Sequence, residues 1–130
     1  MKRGVRLLAA AAWLASWAGT MSAAGPFEAK EYAARRARLM ESIGEGMAVF
    51  LGASTPASDQ GFRQGHDFVY LTGVPVPNSY LVVDGLRKES ILFFTMSETE
   101  AEGEGIPREL VRDPKGVTGI ERVLPAEQFG

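Results

Sequence analysis

His66 stands beside Asp67 in the middle of the chain, and an imidazole next to a carboxylate is a pair from which a general base can be built. His66 is the one histidine in 130 residues, and the chain has no cysteine. A Cys-based zinc site is therefore excluded, as is any site that needs two imidazoles from one chain. Since no nucleophile accompanies the pair, we interpret His66 as a loop residue and predict no catalytic residue in this chain.

An acidic stretch between Ser97 and Gly105 offers oxygen ligands for a metal ion. Its four alternate carboxylates belong to Glu98, Glu100, Glu102 and Glu104. Calcium loops combine Asp, Asn and backbone ligands around a tight turn, and this stretch has no such arrangement. We therefore predict a solvated acidic loop and no metal site.

Two other motifs have binding interpretations that we set aside. Residues 103–108 begin like a dinucleotide fingerprint but lack its third glycine, and the neighbouring glutamates would repel a pyrophosphate. Arg35, Arg36 and Arg38 resemble an anion patch, but Glu31 lies four residues before Arg35. That spacing favours ion pairing along a helix, so we predict a salt-paired surface.

Composition narrows the class of protein. Hydrophobic residues make up 45% of the chain and charged residues 23%, which is typical of a globular domain and excludes disorder and a polytopic membrane protein. Fourteen basic residues against sixteen acidic ones give a net charge of −2. A chain so close to neutrality has no electrostatic footprint for nucleic acid.

The first 24 residues read as a secretory signal peptide. Three basic residues precede an apolar run over residues 7–18, and small residues then lead to Ala24, with Ser22 two positions before it. This order matches the charged, apolar and cleavage regions of such a signal. We expect an exported protein, periplasmic or extracellular, whose mature domain spans residues 25–130. The alternative is an uncleaved membrane anchor.

The mature chain alternates helical and strand patterns, which predicts an α/β fold. We expect helices at Phe27–Ile43 and Pro107–Val111, and a helix start at Pro125–Phe129. Expected strands are Met47–Gly52 (buried on both faces), Asp67–Thr72, Ser79–Asp84, Ser90–Thr95 and Glu121–Leu124, of which the third and fourth should pair as a hairpin. A helix that opens at Pro125 cannot finish before Gly130, so we expect a domain truncated at its C-terminal end.

Several strings along the chain resemble, in order, the N-terminal domain of aminopeptidase P, the Xaa-Pro aminopeptidase branch of the creatinase/prolidase family. The most specific is FRQGHDFVYLTG, residues 62–73. The others are YAARRARL at 32–39, GMAVFLG at 46–52, PNSYLVVD at 77–84 and VLPAEQF at 123–129. The resemblance covers residues 27–129 and implies a mixed sheet flanked by helices.

The resemblance also implies where the chemistry lies. In this family a second, C-terminal domain holds two metal ions, usually manganese, with two Asp, one His and two Glu ligands. None of these five ligands has a counterpart in this chain, so no cofactor is expected here. The metals would activate the water that attacks the bond before proline.

In the family, loops of this domain help to wall the active site. By resemblance, the segment from Asp59 to Asp67 is the one that would face it. Arg63 and Gln64 match the family string, Asp59 is a loose match to an acidic residue, and His66 departs from the usual residue. These four residues are our substrate-rim candidates. Arg63 has a second interpretation, in which it holds its own loop by bonding backbone carbonyls.

The expected function is therefore that of the non-catalytic N-terminal domain of an exported Xaa-Pro metalloaminopeptidase. Its partners would be the catalytic domain, neighbouring subunits and short proline-containing peptides. A stand-alone exported binding module that lacks peptidase activity is the alternative. A parent with prolidase or creatinase activity would change the substrate.

Overall fold

The computed structural model describes residues 27–56 and 61–130. The predicted signal peptide lies outside these residues. None of the described helices has the length and apolar character needed to cross a membrane. Five α-helices are described: α1 Ala29–Ile43, α2 His66–Thr72, α3 Glu98–Gly103, α4 Arg108–Arg112 and α5 Pro114–Thr118. Four strands, β1 Met47–Leu51, β2 Tyr80–Asp84, β3 Glu89–Phe93 and β4 Arg122–Leu124, precede a 3₁₀ helix at Ala126–Phe129.

The strands form one mixed sheet in the order β1-β2-β3-β4, as the predicted fold class requires. The first three strands are antiparallel neighbours, with Met47 opposite Asp84 and Tyr80 opposite Phe93. The predicted hairpin of β2 and β3 is confirmed. β4 pairs with β3 in parallel, because the α3–α5 segment carries the chain back to the same end of the sheet.

The core lies between one face of the sheet and the helices. On β2, Leu81 and Val83 are fully buried, and they belong to the same apolar cluster as Met40 of α1 and Phe68 of α2. Alternate side chains of a strand point to opposite faces, so Tyr80 lies on the other side of the sheet. There it stacks on Phe129 of the 3₁₀ helix, with ring centroids 4.2 Å apart.

Helix α1 follows its sequence prediction closely. Its buried stripe contains Tyr32 and Met40, with Leu39 and Ile43 packed beside them. Gly44 ends the helix at a φ of 60°, and its amide donates to the Met40 carbonyl. A glycine adopts this left-handed conformation without the steric cost of a Cβ.

The strand predicted over Asp67–Thr72 is wrong, since these residues form α2. β-branched and aromatic residues favoured a strand by local propensity, but propensity yields to packing. As a helix, the segment buries Phe68, Leu71 and Thr72 on one side and leaves Tyr70 exposed. Gly73 ends α2 in the left-handed conformation, as the predicted stop requires.

Strand β1 is confirmed, but its predicted burial on both faces is wrong. It lies at the edge of the sheet, and its side chains alternate between exposed and half-buried. Met47, Val49 and Leu51 are 62%, 50% and 65% exposed. An uninterrupted apolar run predicts a strand, but it does not determine whether one face or both faces of that strand are buried.

The acidic stretch is solvated, as predicted, but part of it is helical. Ser97 accepts a hydrogen bond from the Glu100 amide, and the Glu100 carboxylate accepts from the Ser97 amide in return. This reciprocal pair is a capping box, and it starts α3. The predicted loop does not include this cap, whose signal in the sequence is the spacing of three residues between Ser97 and Glu100.

The predicted salt-paired surface on α1 is right for Arg35 and wrong for Arg36. Arg35 pairs with Glu31 at 3.1 Å. Arg36 is 3% exposed and donates to the carbonyls of Leu71 at 2.8 Å and Thr118 at 3.0 Å. One arginine side chain thereby joins α1, α2 and α5.

Candidate functional site

Gln64 anchors the segment that carries the rim candidates. Its Oε1 accepts from the amides of Ala53 at 2.6 Å and Gly65 at 3.0 Å, and its Nε2 donates to the Val76 carbonyl at 2.7 Å. These bonds tie the entry of α2 to the loop after β1 and to the extended connector before β2. Both ends of the amide are used inside the fold, so Gln64 is a positioning residue.

Gly52 lets the chain pass close to this anchor. Its amide donates to the Ser79 carbonyl at 2.7 Å. A Cβ at Gly52 would lie 2.7 Å from that same carbonyl oxygen and 3.2 Å from the Gln64 Nε2. A Cβ so close to a backbone oxygen would force the chain to move. The absence of a side chain at position 52 therefore keeps the Ser79 carbonyl and the Gln64 amide in their places.

Arg63 and His66 stand on either side of the anchored turn, and both are exposed. His66 is the first residue of α2, and Tyr70 follows it one helical turn later. These side chains open onto a groove of about 520 Å³ between the start of α1 and α2. The groove is lined by Phe27, Tyr32, Arg35, Arg63, Gln64, His66, Val69 and Tyr70.

One wall of the groove is a stack of two aromatic rings with a guanidinium between them. The Arg35 Cζ lies 4.3 Å from the ring centroid of Phe27 and 4.3 Å from that of Tyr70. Arg35 also donates to the Glu31 carboxylate at 3.1 Å and to the Tyr70 carbonyl at 3.0 Å. Cation–π contacts and two hydrogen bonds hold the wall in one arrangement.

Tyr32 is the most deeply buried of the aromatic residues that line the groove. It is 2% exposed, and its hydroxyl has no hydrogen-bond partner among the described residues. Burial raises the pKa of this phenol, because the phenolate would lose its hydration, and nearby Arg35 offsets part of the rise. Tyr32 thus enters the groove as a neutral, largely apolar surface.

The described residues that line the groove include two arginines and an imidazole, and none of them is acidic. Arg35, Arg63 and the His66 imidazole line it, whereas Asp67 lines the neighbouring groove together with Arg38. Asp59, the fourth rim candidate, lies outside the described residues. The arrangement suits an anion with an apolar or flat body.

The described residues do not fit the metal pair that the resemblance implies for a catalytic domain. In residues 27–56 and 61–130, no three His, Asp or Glu side chains come together where they could hold an ion. What the groove offers chemically is binding and exclusion of water.

Of the rim candidates that the sequence predicted, Arg63, Gln64 and His66 line this groove, but its aromatic lining residues were not predicted. The structure brings Arg63 and His66 together and turns Gln64 inward. Tyr70 was not predicted to line the groove, because a strand over Asp67–Thr72 would have pointed it to the same face as Phe68. A helical interpretation would have placed Tyr70 above His66, at a spacing of four residues.

Comparison with known proteins adds a family and a set of related folds. Residues 32–130 match the family model described as aminopeptidase P, N-terminal domain. No relative was found among the curated proteins. Among solved structures, the chain is similar to a variant of Escherichia coli aminopeptidase P in complex with substrate, at 27% identity and a TM-score of 0.61.

Two other solved structures agree with this result. Proline aminopeptidase P II from Yersinia pestis is 27% identical with a TM-score of 0.61. An aminopeptidase from Pseudomonas aeruginosa, at 24% identity and a TM-score of 0.64, supports the fold alone. In each of the three comparisons the match covers 78% of this chain and 25% of the solved one. The chain therefore spans about a quarter of the length of these structures.

Proposed function

The chain belongs to the family of aminopeptidase P N-terminal domains, and from this premise we propose that it is the non-catalytic part of an exported Xaa-Pro metalloaminopeptidase. The observation that carries the proposal is the match over residues 32–130 to a domain, in a chain whose described residues bring together no metal-ligand set. The catalytic partner would be a C-terminal domain that holds two manganese ions. Removal of an N-terminal residue that precedes proline is the activity of the parent.

The proposed task of the domain is assembly with that partner and with neighbouring subunits, and walling of the active site. Support comes from the groove, where exposed Arg63 and His66 stand on a turn that Gln64 holds rigidly. A wall of this kind would restrict access to short peptides that contain proline. Arg63 is exposed, which favours the rim interpretation over one in which it holds its own loop.

Export is proposed from the sequence of residues 1–24. The basic start, the apolar run and the small residues before Ala24 are what signal peptidase substrates have in common. The mature protein would then act in the periplasm or outside the cell.

An immunoblot of the native exported protein tests the parent assignment, with an antibody raised against residues 25–130. We expect a band several times larger than this chain, because the catalytic domain would be part of the same polypeptide. A band the size of residues 25–130 would contradict the proposal. It would favour a stand-alone exported binding module instead.

A hydrolysis assay tests the non-catalytic assignment. Residues 25–130, purified and supplied with manganese, should not cleave an Xaa-Pro peptide. Turnover that persists through purification, and that is lost in Arg63→Gln but not in Arg38→Gln, would place chemistry in this domain and contradict the proposal.

A further inference from the structure

We infer that the groove beside α2 binds the free C-terminal carboxylate of a short peptide, with the apolar side chain of the terminal residue against the aromatic wall. The inference rests on the proposed function, since it names what the rim would recognise. It concerns a contact at the far end of the peptide from the bond that a catalytic domain would cleave.

The cationic side of the groove supplies the carboxylate partner. Arg63 is exposed, and its planar guanidinium offers two parallel N–H groups, the geometry that matches a carboxylate. His66 lies three residues on and adds a ring N–H. Their backbone is held by the Gln64 amide bonds, so little ordering is needed when a ligand arrives.

Arg35 is not a second carboxylate partner. Its guanidinium lies between Phe27 and Tyr70, and its Nε and Nη1 already donate to Glu31 and to the Tyr70 carbonyl. The side chain of Arg35 is 9% exposed. Arg63, whose side chain is exposed, is therefore the arginine of this groove that a ligand can reach.

The aromatic wall supplies affinity for an apolar side chain. Phe27 and Tyr70 are 46% and 52% exposed, although both are large rings. Because Arg35 holds them in place, they offer a preformed surface. A small inorganic anion would use the cations and leave this wall empty.

The charge of the groove distinguishes the C-terminal carboxylate of a peptide from its N-terminal ammonium group. Since none of the described residues that line the groove is acidic, their charge favours a peptide carboxylate over a peptide ammonium group. A carboxylate gains from Arg63, whereas a C-terminal amide of the same shape does not. The comparison of acid and amide therefore isolates the proposed contact.

The experiment is a titration of the chain, followed by NMR at the backbone amides of residues 61–70. The probes are the tripeptide alanyl-prolyl-phenylalanine, its C-terminal amide and inorganic phosphate. The variant is Arg63→Gln, and the matched control is Arg38→Gln, an exposed arginine of the neighbouring groove. We expect the acid to bind about threefold to fivefold more tightly than the amide, the range of a solvent-exposed ion pair.

Arg63→Gln should abolish this preference, and Arg38→Gln should preserve it. Equal binding of acid and amide, a preference that survives Arg63→Gln, or no shift at residues 61–70 would each overturn the inference. Phosphate binding as tight as that of the tripeptide would overturn it too, because the aromatic wall would then contribute nothing. None of these outcomes changes the size of the native protein, so failure here is distinct from failure of the proposed function.

Discussion

Arg36 shows how one side chain organises three helices. Its guanidinium is buried, and burial lowers its pKa to about 10, so it stays charged near neutral pH. The cost of removing that charge from water is offset by the carbonyls of Leu71 and Thr118, which lie in the last turns of α2 and α5. Helix C-terminal carbonyls carry partial negative charge and are suitable partners for a cation.

Replacement of this side chain should be costly. Arg36→Ala leaves two buried carbonyls without a partner and opens a void, so we expect a loss of about 3 kcal/mol in the free energy of unfolding. Arg38→Ala, which changes an exposed neighbour, should cost less than about 0.5 kcal/mol. Urea titrations of both variants measure the difference, and equal losses would show that Arg36 does not hold the helices together.

Gly73 is required for two separate reasons, its backbone angle and its neighbour. Its φ is 68°, and a Cβ there would lie 2.5 Å from Cζ and 2.6 Å from the hydroxyl oxygen of Tyr32. Gly105 has the same φ of 68° but open space around it. A comparison of alanine substitutions at the two positions therefore separates the energy of backbone strain from that of steric collision.

Gly105→Ala should cost about 1 kcal/mol, the price of a left-handed alanine. Gly73→Ala should cost at least about 2 kcal/mol more, because its Cβ would collide with the buried Tyr32 ring. Thermal or urea unfolding of the two variants gives the comparison. Similar losses in both would mean that Tyr32 adapts, and the packing described between α1 and α2 would be wrong.

At the scale of elements, α2 is the segment whose conformation the packing decides. Phe68 and Tyr70 are two residues apart, which puts them on one face of a strand but on roughly opposite faces of a helix. Phe68 is 1% exposed and Tyr70 52% exposed, as a helix requires.

Paired substitutions distinguish the two conformations in solution. Phe68→Ala should destabilise the domain by about 3–5 kcal/mol, since it empties a core position. Tyr70→Ala loses a half-exposed ring and its contact with Arg35, and should cost about 1 kcal/mol. Losses of similar size would indicate one shared face, and hence a strand.

Over the whole molecule, several carboxylates are stabilised in their charged form. The pKa of Asp84 is lowered chiefly by the Arg87 amide and then by its guanidinium, and that of Glu98 by Arg112. The pKa of Glu100 is lowered by the Ser97 amide and hydroxyl. Each of these groups binds protons more weakly in the folded chain than in the unfolded one. Their contribution is present above the unfolded pKa and is lost as pH falls through the folded pKa.

We therefore expect the melting temperature to fall as pH drops below about 4. Asp84→Asn should make this fall less steep, because it removes one of the carboxylates whose pKa is lowered in the folded chain. Calorimetry of the variant and of the parent chain across the acid range measures the difference. A melting temperature that rises on acidification would contradict the prediction that these carboxylates have lower pKa values in the folded chain than in the unfolded one.

Local sequence patterns were sufficient to predict α1 and the hairpin of β2 and β3. Helical spacing of Tyr32 and Met40 defined α1, and a glycine turn between two β-rich runs predicted the hairpin of β2 and β3. These signals are local, because a helix or a hairpin joins residues that are close in the chain. The family resemblance likewise needed only the order of short strings, and the match over residues 32–130 confirms it.

Which faces of the helices and strands are covered, and therefore where the groove forms, depends on long-range packing. Whether residues 66–72 form a helix, whether β1 is an edge and whether Arg36 is buried all depend on partners far along the chain, such as the Thr118 carbonyl. Propensity differences of about 1 kcal/mol are smaller than the free energy of burying a residue like Phe68. Long-range burial therefore overrides local preference, and it brings Phe27, Arg35 and Tyr70 beside Arg63 and His66, two of the predicted rim candidates.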